Sequence, residues 1–455
     1  MKRSSMLARV ATLALASSLA LAACGSDSDD GDDDNTSSDD QSQTTEDTSE
    51  GTDEGSAAAD DCSGKNVADV KGDGVFTVGT LLPQTGSLAY LGPPEFAAVN
   101  LAIKEINEAG GVLGKDAKVV HSDSGDAQNP IAAQSVDSLI AKDADVVLGA
   151  ASSSVSLLVI DKITDAGMVQ MSPANTSDQF STYCDGGLYF RTAPPDVLQG
   201  RVLADTVVED GNATVGILAL QDAYGTGLAD QVEKNVLAAN AEIVEKIIYD
   251  PKAANYATEV SEIRAADPEA IVLIGFDETK KIIPELVKQG VGPSEKKIYL
   301  VDGNLTDFSE DFDAGTMGPN VKGSLPGVAA TDELKKKLAT VDNKLIDWSY
   351  AAESYDGVVL MALAAIAADS DAGPDIAKEL VGVSRDGTKC TTFAECKELL
   401  EGGEDIDYDG YSGPIDFLDN GDPGSAFIGI YQFKPDGTYE FLKASQGEIS
   451  AEDVG

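Results

Sequence analysis

From about residue 75 to residue 300, short apolar runs rich in β-branched residues alternate with longer stretches whose apolar positions recur three and four residues apart. "VFTVGTLLP" is followed by "PEFAAVNLAIKEINEAGG", which holds helical spacing and stops at glycine. Then come "AKVVHSD", a helix near Ile131–Ala141, "ADVVLGA", a helix near Val155–Ala166, and "GMVQM". Such βαβα alternation predicts a parallel sheet with helices on both faces. "FRTAPPDVLQG" interrupts it with Pro194 and Pro195, and a fresh series begins. That series reads helix Val197–Val208, strand "ATVGILAL", helix Gly227–Ala238, strand "AEIVEKIIY", helix Tyr256–Ala265, strand "AIVLIG", helix Glu278–Gln289 and strand "KIYLVDG".

The rest holds one long helix, "YAAESYDGVVLMALAAIAA", and ends on strands "AFIGIYQF" and "TYEFL". Strands returning after long helices imply that the chain crosses between two units more than once. The predicted fold class is therefore α/β, with two doubly wound parallel-sheet lobes joined by a multi-strand hinge. At 455 residues, more than one core is expected, and an apolar fraction of 42% is enough to fill two.

Charge narrows the partners. The chain carries 32 Lys+Arg against 79 Asp+Glu, a net charge of -47, which argues against nucleic acid or anionic membrane surfaces. A single His and no CxxC pair argue against a zinc or redox centre, so neither cofactor nor metal is expected. Residues 1–24 read as an export signal: Lys2, Arg3 and Arg9 precede an apolar stretch, and Leu21-Ala22-Ala23-Cys24 matches a lipobox, with Cys24 the acylated residue. Residues 25–61 then hold fifteen acidic residues and no Lys or Arg, the composition of a disordered acidic tether. Of the remaining cysteines, Cys62, Cys184, Cys390 and Cys396 allow three disulfide connectivities. The local spacing favours Cys390–Cys396, leaving Cys62–Cys184 to tie the start of the first lobe to a later loop.

In open parallel sheets ligands sit beyond the carboxyl ends of strands. "LGAASSSVS" is such a place, with Ser152, Ser153 and Ser154 before a helix, so that hydroxyls and free backbone N–H groups are expected to face one space. "SPANTS" ends the neighbouring strand with Ala174 and Thr176. Neither Lys nor Arg nor a Gly-rich loop accompanies the serines, which points to carboxylate rather than phosphate. In "KIYLVDGN", Asp302 ends a second-lobe strand and could meet a cation across the cleft; the competing reading is an Asp-Gly turn. Tyr224, at the top of another second-lobe strand, is a candidate for lining that cleft.

Taken together, "LLPQTGSLAYLGPPEFAAVNLAIKEINEAGGVLG", "GAASSSVS", "SPANTS", "FRTAPPDVLQG", "DAYGTGLA" and "AAESYDG" occur in the order found in one family. The chain resembles the leucine/isoleucine/valine-binding substrate-binding proteins of ABC transporters, with the type I periplasmic-binding fold. The resemblance implies that Ser153 and Thr176, with the backbone of Ala174, take a ligand carboxylate. Ser152 could replace Ser153, because the segment to Gly167 is one residue longer than usual. It implies that Asp302 takes the ammonium, where the best-known members have Glu, and that Tyr224 lines the side-chain pocket. Tyr90 or Leu91, and Phe276, match pocket positions loosely. Lobe 1 would then comprise 62–193 with about 327–413, and lobe 2 194–326 with about 414–445. The implied protein is a monomeric lipoprotein anchored on the extracytoplasmic face, delivering a small amino acid, branched-chain or similar, to ABC permease subunits. A sensing receptor subunit, or a binder of an amide, urea or aromatic acid, are the alternatives on the same scaffold.

Two further clusters compete. His121, Asp123 and Ser153 could share one rim as a hydrolase site, but no GxSxG elbow surrounds the serines, so no enzyme is expected. Asp405, Asp407, Asp409 and Gly410 imitate the start of an EF-hand loop, yet Ser412 and Asp416 stand where an apolar residue and the bidentate Glu belong. That stretch reads as a loop before a crossover strand.

Overall fold

The computed structural model describes residues 65, 67–126, 129 and 131–454. The export segment with Cys24, the acidic tether and Cys62 lie outside the described residues. The first sheet is built from β1 (Thr77–Leu82), α1 (Gly92–Glu108), β2 (Lys118–Asp123), α2 (Ala132–Ile140), β3 (Val146–Gly149), α3 (Ser153–Asp165), β4 (Val169–Ser172) and β5 (Tyr189–Arg191). Its five strands are all parallel, in the order β2-β1-β3-β4-β5. The strands β1, β3 and β4 are buried along their whole length, which is why they read as continuous apolar or β-branched runs.

The second series follows: α4 (Asp196–Glu209), β6 (Thr214–Leu220), α5 (Ala223–Ala238), β7 (Glu242–Tyr249), α6 (Ala257–Ala266), β8 (Ala270–Ile274), α7 (Thr279–Lys288), β9 (Lys297–Leu300) and β10 (Val321–Pro326). The chain then returns to the first unit with α8 (Asp332–Leu338), α9 (Ala351–Ala367), α10 (Gly373–Leu380), β11 (Thr388–Cys390), α11 (Phe393–Glu401) and β12 (Ile406–Tyr408). Finally β13 (Ser425–Phe433) and β14 (Tyr439–Glu448) rejoin the second sheet, ahead of α12 (Ala451–Val454). That sheet runs β14-β13-β10-β9-β8-β6-β7, with β13 antiparallel to both β10 and β14. Both sheets thus repeat one winding, reversing between β1 and β3 and between β6 and β8.

Three stretches carry the chain between the sheets: after β5, after β10, and between β12 and β13. The α9 helix is buried from Ala351 to Ala365 because it packs against α1, α10 and α11 on one side and meets β3 and β4 on the other. A clasp predicted from spacing is present, Cys390–Cys396, with Cα atoms 5.4 Å apart. Cys184 is disulfide-bonded as well.

Several elements differ from the sequence reading. The α5 helix starts at Ala223 rather than Gly227, because Asp222 caps it by accepting from the Gly225 N–H at 2.7 Å. Tyr224 therefore stands in the first turn of α5, just beyond the carboxyl end of β6. The short parallel pair β11 and β12 was not foreseen, and β12 occupies part of the EF-hand-like stretch. There Lys389 pairs with Asp407 and Asp409, each at 2.9 Å.

Candidate functional site

Both sheets turn the carboxyl ends of their strands toward one cavity. Leu88 and Leu91 follow β1, Ser152 and Ser153 follow β3, and Ala174 follows β4. From the other sheet, Tyr224 follows β6, Phe276 follows β8 and Asp302 follows β9, while Tyr350 enters just before α9. These are the loops flanking the two reversals of winding, where open sheets leave room for a ligand.

The hydroxyl-rich turn after β3 has several jobs. Gly149 sits at φ +124, and a Cβ there would lie 2.0 Å from the Leu81 carbonyl oxygen, so only glycine lets β3 leave the sheet beside β1. Ser156 Oγ accepts from the Ala150 N–H at 3.0 Å, and Ser172 Oγ donates to the Ala150 carbonyl at 2.8 Å. Asn175 Nδ2 donates to the carbonyls of Ala150 and Ala151, each at 2.9 Å. The two turns therefore hold each other before any ligand is considered. Ser152 caps α3, accepting from the Val155 N–H at 3.4 Å, and Ser153 Oγ accepts from the Ser177 N–H at 3.3 Å.

The expectation that all three serines face one space is corrected for Ser154. Its hydroxyl donates to Asp222 Oδ2 at 3.1 Å and accepts from the Ala223 N–H at 3.1 Å, joining the N-terminus of α3 to that of α5. Only Ser152 and Ser153 line the cavity. Thr176 is buried with its hydroxyl toward Asp196, short of hydrogen-bond geometry, and does not line the cavity either.

The chain does turn at Asp302–Asn304, a single 3-10 turn, but the Asp302 side chain is turned to another use. Its carboxylate is buried at 5% exposure and is met by three donors: Gln199 Nε2 and Tyr224 OH on Oδ1, and Tyr350 OH on Oδ2, each at 2.7 Å. Tyr90 OH donates to the Asp302 carbonyl at 2.8 Å. Tyr90 and Tyr350 belong to the first unit and Asp302, Tyr224 and Gln199 to the second, so the carboxylate is where the two units touch. Burial pushes the Asp302 carboxyl up, against the hydrogen bonds from Tyr350, Tyr224 and Gln199 that favour its charge. Burial and Asp302 itself hold the Tyr224 and Tyr350 hydroxyls well above their ordinary value, so both stay donors. Phe276 stacks on Tyr224 with ring centroids 5.6 Å apart, and Leu91 adds an aliphatic wall. With these side chains in place the cavity measures about 20 Å³, room for about one water.

Sequence reasoning missed Tyr350, Gln199 and Leu88. Tyr350 adjoins the recognised "AAESYDG" stretch, which was the available signal. It also missed Arg191, fully buried at the end of β5, whose guanidinium donates to Asp422 Oδ1 at 2.6 Å, to the Ser177 carbonyl at 2.8 Å and to Ser181 Oγ at 2.9 Å. The hydrolase rim does not form. His121 Nδ1 meets Thr80 Oγ1 at 2.9 Å and Nε2 meets Asn100 Oδ1 at 3.1 Å, while Asp123 is taken up by Gln84, Thr85 and Gly125.

Residues 75–437 match the model of a family described as "Periplasmic binding protein". The "Chemotactic signal transduction system substrate-binding protein BasB" of Halobacterium salinarum is 26% identical over 386 residues, covering 81% of this chain and 90% of that one. The "Leu/Ile/Val-binding protein homolog 1" of Brucella suis biovar 1 is 27% identical over 315 residues, 67% of this chain and 81% of that one. Among solved structures, the branched-chain amino acid transporter substrate-binding protein LivJ of Streptococcus pneumoniae, in complex with isoleucine, superposes with a TM-score of 0.66 at 22% identity. The match covers 82% of this chain and 100% of that one.

Proposed function

We propose that this chain, which belongs to the periplasmic binding protein family, captures a small amino acid between its two lobes and hands it on unchanged to an ABC importer. Its relatives and fold neighbours are substrate-binding proteins rather than enzymes. One observation carries the choice of ligand: the capped N-terminus of α3, with Ser152 and Ser153, and the buried carboxylate of Asp302 line the same cavity. A helix N-terminus favours an anion, and a desolvated carboxylate favours a cation. Only a ligand carrying both charges satisfies both poles. An aromatic acid, amide or urea would leave Asp302 without a counter-charge.

Two conformations follow from the proposal. With room for about one water, the cavity admits an amino acid only if Tyr224 and Tyr350 give up Asp302 and the lobes part. The proposed lobes, 62–193 with about 327–413 and 194–326 with about 414–445, would pivot on the three stretches between the sheets. Ser153, Ser152, Thr176 and the Ala174 backbone are the proposed carboxylate ligands, with Tyr224, Phe276 and Leu91 around the side chain. Lipid attachment through Cys24 on the extracytoplasmic face and a monomeric state complete the reading. Among the described residues no helix is long and apolar enough to cross a membrane.

The test is a thermal-shift and calorimetry panel with leucine, its deaminated analogue 4-methylpentanoate, leucinamide and benzoate. Leucine is expected to raise the melting temperature, the other three to do far less, and Asp302→Asn to abolish the leucine effect. Stabilisation by 4-methylpentanoate or benzoate equal to that by leucine defeats the zwitterion reading. The relative named for chemotactic signal transduction supports a second reading, in which the same capture informs a membrane receptor. Co-purification of the full chain with permease subunits or with a receptor separates the two.

A further inference from the structure

Tyr350 walls the small cavity from a second one, and it lines both. The second cavity measures about 660 Å³, inside the roughly 300–1,000 Å³ range of small-molecule sites. Its walls are aromatic, with Tyr90, Trp348, Tyr431 and Tyr439 among them. Its charged lining is five carboxylates against two lysines. One of those carboxylates, Glu353, is only 4% exposed. It is met by its own backbone amide and by no other residue's donor among the described residues.

The chain makes room for that carboxylate. Gly327, at φ +89 in the passage after β10, would place a Cβ 2.1 Å from Glu353 Oε1. Any other residue would evict the carboxylate or strain the backbone. Behind it lies Glu95, fully buried, with neither oxygen hydrogen-bonded and with Glu353 close enough to push its carboxyl further up. Of the two only Glu353 lines the cavity; burial pushes its carboxyl up to about 8, and a cation placed against it would favour the ionised form. An inorganic metal fits poorly: among the described residues no group of three or more His, Cys, Asp or Glu is arranged to hold one. Aromatic faces instead suit a poorly hydrated organic cation. Trp348 already has a cation on its ring, the Lys335 ammonium 4.6 Å from the centroid.

We propose that this cavity binds an organic ammonium ion, its charge against Glu353 and its alkyl groups on the Tyr431, Tyr439 and Trp348 faces. The site is separate from the amino-acid cavity and does not depend on the identity of the ligand there. Trp348 is the only tryptophan in the chain, so its emission reports on this cavity. The test titrates the full chain with tetramethylammonium chloride at constant ionic strength set by NaCl. A saturable change in emission is expected, weakened about tenfold or more in Glu353→Gln and unaltered in Ser153→Ala. Tyr431→Leu, which leaves the buried carboxylate in place, is expected to weaken it as well. An emission change that NaCl reproduces, that tert-butyl alcohol (uncharged and of the same heavy-atom shape) matches in affinity, or that Glu353→Gln and Tyr431→Leu both retain overturns the proposal.

Discussion

Asp222 shows how a single side chain can serve two helices. It caps α5 through the Gly225 N–H and accepts the Ser154 hydroxyl from the other unit. Burial raises its carboxyl from 3.8 to about 6, with the bonds from Gly225 and Ser154 opposing. A carboxyl raised on folding adds stability below its unfolded pKa and loses that contribution as pH climbs through the folded one, here between about 4 and 6. Asparagine keeps the cap and can hydrogen-bond Ser154, and it has no charge to bury. Asp222→Asn is therefore expected to match the parent chain near pH 4 and to exceed it at pH 7 by about 1–2 kcal/mol, solvent contact moderating the full shift. Urea midpoints at pH 4, 5, 6 and 7 measure this; a gap that stays constant across the series refutes it. Neither role was legible in the sequence, because Ser154 and Asp222 lie on separate lobes and only the fold brings them together. Tyr350 was hidden for the same reason: it sits in the left-handed region at φ +58 just ahead of α9 and reaches Asp302 across the cleft.

Elements were legible where a run was long and regular enough to show a pattern. The β3, β6 and β8 strands are short apolar runs because both their faces are covered, and runs of that kind announce themselves. In contrast β10, "VKGSLP", starts with an alternating polar residue and ends on proline, and β11 and β12 have three residues each, too few for any period to register. The loop after β4 was readable as a site but not as a supported structure, since its support is Arg191. That guanidinium is wholly buried, pairs with Asp422 at 2.6 Å and binds the Ser177 carbonyl, so it fastens the loop to the last passage between the sheets. Arg191→Met should destabilise the protein by about 3–5 kcal/mol, because Asp422 would remain buried and uncompensated. Adding Asp422→Leu should recover most of that loss, as apolar replacements of buried ion pairs commonly do. Chemical unfolding of both variants decides it. A double variant as unstable as the single one would mean that the bonds to Ser177 and Ser181, rather than the ion pair, carry the energy.

At the scale of the whole molecule the dominant number is the net charge of -47. Exposed ion pairs such as Lys378–Asp375 and Lys443–Glu209 contribute about 0–1 kcal/mol apiece and weaken in salt. Mutual repulsion among 79 acids against 32 bases also weakens in salt, and it opposes folding. The imbalance makes repulsion the larger effect, so the melting temperature is expected to rise as NaCl goes from about 0.01 to about 1 M, the Debye length falling from about 30 to about 3 Å. The same reasoning reaches the proposed function. Closing two acidic lobes brings like charges together, whereas the zwitterion they enclose has no net charge for salt to screen. Added salt should therefore tighten amino-acid binding by easing closure, and isothermal titration at three NaCl concentrations tests this directly. Affinity that falls steeply with salt would instead mark a ligand held by net charge, and would count against a gripped zwitterion.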